Sequence, residues 1–110
     1  MGEIRRPKEF FEDVLPARFD PEKAAGLSCT IQMNIDGEEG GKWYITIRDQ
    51  KLEVAQGEHP NPDILIRMKD KDFVDVMNGK ITAERAYMMG KLKFKGNLGL
   101  GTKLRSLGII

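Results

Sequence analysis

From residue 28 to residue 35 apolar and polar positions alternate, with Cys29, Ile31, Met33 and Ile35 on one side and Ser28, Thr30, Gln32 and Asn34 on the other. A period of two predicts a half-buried strand. Past a turn-rich stretch at 36–41, Trp43, Ile45 and Ile47 alternate with Tyr44, Thr46 and Arg48, which predicts a second strand and a hairpin. Asp49 and Gln50 leave room only for a tight connection to a third strand over 51–55, whose inward side chains are Leu52 and Val54. These three strands form a meander. After the break at Asn61, Pro62 and Asp63, Ile64, Ile66 and Met68 alternate with Leu65 and Arg67 in a fourth strand. A fifth, over 91–95, sets Leu92 and Phe94 against Lys91, Lys93 and Lys95.

The remaining segments have helical spacing. Pro7 opens a short amphipathic helix carrying Phe10, Phe11, Val14 and Leu15, and Pro16 is expected to stop it. Asp20 followed by Pro21 reads as a cap for a second short helix or turn that Gly26 ends. Asp70 is expected to cap a helix with Phe73, Val76 and Met77 on one face, closed by Asn78 and Gly79. Thr82 caps another that runs through Met88 to Gly90, and Asn97 a last one with Leu100, Leu104 and Leu107 along one stripe. No internal repeat is visible.

Composition narrows the function classes. With 110 residues, 40% hydrophobic and 32% charged, the chain has enough apolar side chain for one core, so 1–110 is expected to be a single ordered domain. Its net charge of +1 supplies no overall field for a polyanion, which disfavours nucleic acid. The lone cysteine, Cys29, forms no intramolecular disulfide. With no apolar leader in the charged first residues, no run long enough to cross a bilayer and no peroxisomal address among Gly108, Ile109 and Ile110, a soluble cytoplasmic protein is expected.

Catalytic and metal readings find little support. His59 is the only histidine and has no cysteine or carboxylate at ligand spacing, and Ser28 and Ser106 have no nearby base or nucleophile elbow. Asp70, Asp72 and Asp75 resemble a calcium loop, but Val74 takes a ligand position and the glycine is missing, so they read as acids at a helix N-terminus. Gly96, Gly99 and Gly101 have the spacing of a dinucleotide fingerprint reversed, with no following strand. We therefore expect no catalytic residue, no metal and no cofactor.

Two features bear on binding. Residues 91–110 hold Lys91, Lys93, Lys95, Lys103 and Arg105 and no acid, a surface that is either a solvated face or a contact for anionic head groups of a membrane or an acyl-coenzyme A. Phe94 alternates away from the three strand lysines, so no stacking platform for bases lies beside them. Met33, Met68, Met77, Met88 and Met89 fall among the inward positions, as adaptable core filler or as the lining of a cavity for flexible ligands.

The segments LPARFDPEKAAGL, GGKWYITIRD, NPDILIRMKDKDFVDVMNGKI and MMGKLKFKGNLGLGTKL resemble, in order, the sterol carrier protein type 2 lipid-transfer family, from about Phe10 to Leu107. The resemblance implies an α/β (α+β) fold: a five-stranded, mainly antiparallel sheet covered by helices, with an apolar tunnel between the layers. It implies no catalytic residue. Phe73, Val76, Met77, Met88 and Met89 would form the helical wall, Phe94, Leu98, Leu100 and Leu104 the mouth, and Ile31, Met33, Trp43 and Ile45 the floor. Gly101 stands where similar sequences usually have alanine, which predicts a looser last helix.

Two functions follow. One is a non-enzymatic carrier whose partner is a fatty acid, acyl-coenzyme A, phospholipid or sterol-like lipid, with transient contact to an anionic membrane surface. The other is an interaction module serving a lipid- or quinone-pathway enzyme. Oligomeric state and ligand identity are left open by the residues.

Overall fold

The computed structural model describes residues 3–109. Its sheet comprises β1 (Cys29–Asp36), β2 (Gly41–Arg48), β3 (Lys51–Gln56), β4 (Ile64–Lys69) and β5 (Leu92–Lys95), in the spatial order β3-β2-β1-β4-β5. Every neighbouring pair is antiparallel except β1 and β4, which run parallel with Met33 beside Ile66. The sheet is therefore mixed and mainly antiparallel, as expected, with β1 at its centre.

One face carries the core. Ile31, Met33, Ile45, Ile47, Ile64 and Ile66 are almost wholly withdrawn from solvent, and the helices lie over them. The alternation also marks Thr30 and Gln32 as outward, yet both are buried, because the loop after β3 crosses that face. The Gln32 amide nitrogen donates to the carbonyls of Trp43 and Gly57, and its oxygen accepts from the His59 amide. Asp63 closes the same loop by accepting from the Thr30 amide at 2.8 Å.

The N-terminal helix differs from expectation. It runs as α1 (Pro7–Glu9), a π-helical segment Phe10–Val14 and α2 (Leu15–Arg18), so Pro16 does not stop it. The Leu15 amide reaches back to the Phe10 carbonyl, a wider turn just before the proline. Proline clashes with the carbonyl four residues earlier in a regular helix, and a wider turn at that point relieves the clash. Residues 21–26 form turns rather than a helix, with Asp20 Oδ1 accepting from the Glu22 amide and Gly26 at φ +78°.

Helix α3 spans Asp70–Met77, α4 Ala83–Met88 and α5 Leu98–Ser106. Thr82 and Asn97 cap α4 and α5 as expected, accepting from the amides of Arg85 and Leu100. Asp70 does not cap α3: Lys69 holds the extended N-cap position, and the Asp70 carboxylate binds the amides of Lys71 and Glu39. It thereby ties α3 to the β1–β2 turn, where Gly37, at φ +113°, leaves room that a Cβ would take from the carboxylate at 2.5 Å. Beneath α1 and α3 an aromatic cluster fills the core. Phe11 stacks on Trp43 at 4.6 Å and on Phe73 at 5.3 Å, and Phe10 meets both phenylalanines edge-on.

Candidate functional site

Helices α4 and α5 flank the short edge strand β5, and the three elements enclose an apolar groove of about 160 Å³. Ala83, Glu84 and Tyr87 come from α4, Leu92 and Phe94 from the core side of β5, and Leu98, Gly101, Thr102 and Arg105 from α5. The α5 residues recur three and four apart, so one helical stripe faces the groove. Gly90 at φ +78° turns the chain from α4 toward β5, and Gly96 at φ +140° turns it into α5, where a Cβ would lie 2.8 Å from the Asp63 carbonyl oxygen.

Gly101 sets how closely α5 approaches the strand. A Cβ there would stand 3.0 Å from Phe94 Cζ and 3.1 Å from Cε2, tighter than ordinary contact. Phe94 is half-buried, and Tyr87 and Leu98 are 52% and 69% exposed, so the groove opens on solvent between two large apolar side chains. Arg105 of α5 pairs with Glu84 of α4, joining the two helices. Both side chains are well exposed, so the pair positions more than it stabilises.

The expected site residues divide. Phe94 and Leu98 are brought together at the mouth. Leu104 and Phe73 are wholly buried, and Leu100 packs against the same core, so they hold the helices to the sheet and do not face the groove. Val76 is half-buried, and Met77 lines a separate recess with Ile4, Phe10 and Val14. Met88 and Met89 do not form a wall: they are 85% and 55% exposed, because α4 is short and turns only Ala86 into the core.

The expected floor is packed core. Ile31, Met33 and Ile45 have no exposed surface. Trp43 lines a different, larger cleft of about 590 Å³, whose lining includes Lys8, Glu12 and Gln56. Groove and cleft share no lining residue, so they are separate openings. A volume of about 160 Å³ matches the engineered cavities of about 150 Å³ that admit benzene, and holds a few carbons of a chain as it stands.

The basic residues are dispersed. Lys93 and Lys95 stand on the sheet face opposite Leu92 and Phe94, beside Arg67 and Leu65 of β4, and do not rim the groove. Lys91 lies 4.0 Å from Asp72, Arg105 is held by Glu84, and Lys103 is exposed on α5. Sequence reasoning missed Ala83, Glu84, Tyr87, Leu92 and Thr102 as lining. The alternation of Leu92 with Phe94 and the four-residue step from Ala83 to Tyr87 carried that signal.

His59 lies outside the groove, its ring edge-on to Tyr44 at 5.4 Å and its Nδ1 accepting from the Asn61 amide. No group of three His, Cys, Asp or Glu among the described residues is placed to hold a metal ion, and no helix there is long and apolar enough to cross a membrane.

Residues 11–107 match the family model described as the SCP-2 sterol transfer family. Hydroxysteroid dehydrogenase-like protein 2 of Rattus norvegicus is 38% identical over 87 residues, 78% of this chain and 17% of that protein, and the Danio rerio protein is 33% identical over 88 residues, 79% and 21%. The chain thus spans about a fifth or less of the length of these relatives. Among solved structures, the sterol carrier protein 2 like 2 of Aedes aegypti superposes with TM-score 0.74 at 23% identity, covering 91% of this chain and 94% of that one. The palmitated form of that protein gives 0.70 at 25%, covering 92% and 89%. The sec-alkylsulfatase Pisa1 of Pseudomonas sp. gives 0.76 at 24%, covering 93% of this chain and 16% of that one.

Proposed function

The chain belongs to the SCP-2 sterol transfer family, and on that premise we propose that it is a non-catalytic lipid-binding domain that takes a fatty acyl chain, or a similarly flexible lipid, through the groove between α4, β5 and α5. The family supports lipid binding or transfer in general terms. The observation that carries the finer reading is the groove itself: an apolar recess, open between Tyr87 and Leu98, with the half-buried Phe94 ring in its lining. A relative of the same fold is described as palmitated, which favours an acyl chain over a rigid ring system. Each buried methylene contributes about 0.8 kcal/mol, so a chain that entered past Phe94 would gain affinity with every carbon it sheltered.

Such a chain is longer than the groove, so binding requires α5 to move away from β5. Arg105, now paired with Glu84, would then be the cation available to a carboxylate or phosphate head group. The lone cysteine, Cys29, needs no oxidising surroundings, in keeping with work in the cytoplasm. Displacement of a fluorescent fatty acid by palmitate tests the reading. Leu98→Asp is expected to weaken binding at least about tenfold, with Lys93→Glu, on the far face of the sheet, close to wild type. Full affinity in a folded Leu98→Asp protein would contradict it.

A second reading has its own support: the relatives of known sequence carry this domain within proteins about five times longer. There the domain would hold lipid for, or dock beside, an enzyme in the same chain or pathway. Recovery of one stoichiometric protein partner without extractable lipid would favour it.

A further inference from the structure

Among the described residues the exposed large hydrophobic side chains are Tyr87, Met88, Met89 and Leu98, and all four lie between α4 and the start of α5. Residues 79–110 contain seven lysines and arginines and one acid, Glu84, a net of +6, which leaves −5 on the first 78 residues. Among the described residues the large apolar side chains turned to water thus fall in the cationic segment of the chain, where Arg85 shares their helix while Lys93 and Lys95 stand on the opposite face of the sheet. Singly exposed apolar residues need no explanation, but a cluster with a charged surround marks an interaction surface.

We infer that this face docks on the anionic surface of a lipid bilayer, with Tyr87, Met88, Met89 and Leu98 entering the head-group layer and the mouth of the groove opening onto it. The inference rests on the lipid-binding reading for its purpose, though not for its geometry. On α4, Arg85 lies three residues before Met88 and four before Met89, so the three share one side of the helix. Lys91 follows at the start of the turn into β5. Apolar side chains flanked by cations are what an interfacial surface needs: area to bury among acyl chains and charge to attract acidic lipids.

Charge decides the sign of the bilayer and side-chain type decides the partner. Of the four side chains Tyr87 alone has a flat face, and it lines the groove, so the cluster offers no succession of rings for bases to stack on, which disfavours a nucleic acid. Tyr87 and Leu98 belong both to the exposed cluster and to the groove lining, so a lipid leaving the bilayer here would pass from one apolar surface to another without crossing water.

The test is flotation of the full chain with vesicles of phosphatidylcholine, with and without phosphatidylglycerol, beside solution binding of a fluorescent fatty acid. Binding to the mixed vesicles is expected to exceed binding to phosphatidylcholine alone, and Arg85→Glu is expected to lower it about tenfold with fatty-acid affinity unchanged. Met88→Asp should lower vesicle binding likewise. Equal binding to both vesicles, or wild-type flotation of both variants, would overturn the inference while leaving the fatty-acid result to judge the lipid-binding reading. Vesicle docking without fatty-acid binding would leave the docking face standing and remove that reading. Equally tight binding to polyglutamate that ignores Met88→Asp would overturn it in favour of a general polyanion contact.

Discussion

Gly101 of α5 lies directly against the Phe94 ring of β5, close enough that a Cβ would come to 3.0 Å from Cζ. The glycine therefore serves the contact between helix and strand, and the looseness expected of an interior glycine is offset by the tighter approach it permits. Two effects oppose each other in Gly101→Ala. Helix propensity favours alanine by about 1 kcal/mol, and the contact asks the ring to give by a few tenths of an ångström. Phe94 is only half-buried and borders the groove, so it has room to give. The expected outcome in urea denaturation is a gain of about 0.5 kcal/mol, with weaker lipid binding because the ring moves into the groove. A loss above about 1 kcal/mol would show that the ring is fixed.

Phe73, read from the sequence as a wall residue, is wholly buried between Phe10 and Phe11. Removing a buried phenylalanine leaves a cavity that close packing does not collapse. Phe73→Ala is expected to cost about 3–5 kcal/mol of stability. Thermal and chemical denaturation check this, and a cost under about 1 kcal/mol would mean that the ring borders open space instead of core.

Cys29, on the core face of β1, has its thiol pushed up to about 11 by burial first and by the negative charge of Asp63 second. Raised above its ordinary value of 9.0, it keeps its proton in the folded protein after the unfolded chain has lost it. The group's contribution is then whole below pH 9 and is lost as pH climbs toward about 11. Compared with Cys29→Ala, wild type should lose stability more steeply across that window. A thiol reagent at pH 8 should label Cys29 only at the rate of opening; immediate labelling of folded protein would contradict the burial.

Local chemistry made much of this fold legible in the sequence. Alternation located all five strands, and Thr82, Asn97 and the glycines at 79 and 90 marked helix ends that the structure keeps within a residue or two. What periodicity could not supply was the relation between elements. Nothing in β1 or β4 alone says that they pair in parallel. Pro16 reads as a stop unless the π turn before it is known, and Gln32 reads as exposed unless the loop that crosses it is known. For the groove, alternation places Phe94 inward, the family resemblance adds Leu98 at the mouth, and both line it. Met88 and Met89 read as inward by their apolar character, but a helix of six residues has one side in the core, and Ala86 occupies it.

Native mass spectrometry of the protein purified without detergent, before and after addition of palmitate, bears most directly on the claim that this domain holds lipid in the α4–β5–α5 groove. The account expects a folded-state mass above that of the chain by one fatty acid or phospholipid, released on denaturation and absent or much reduced in Leu98→Asp. A bare chain mass that palmitate leaves unchanged, or an adduct that Leu98→Asp retains in full, would contradict it.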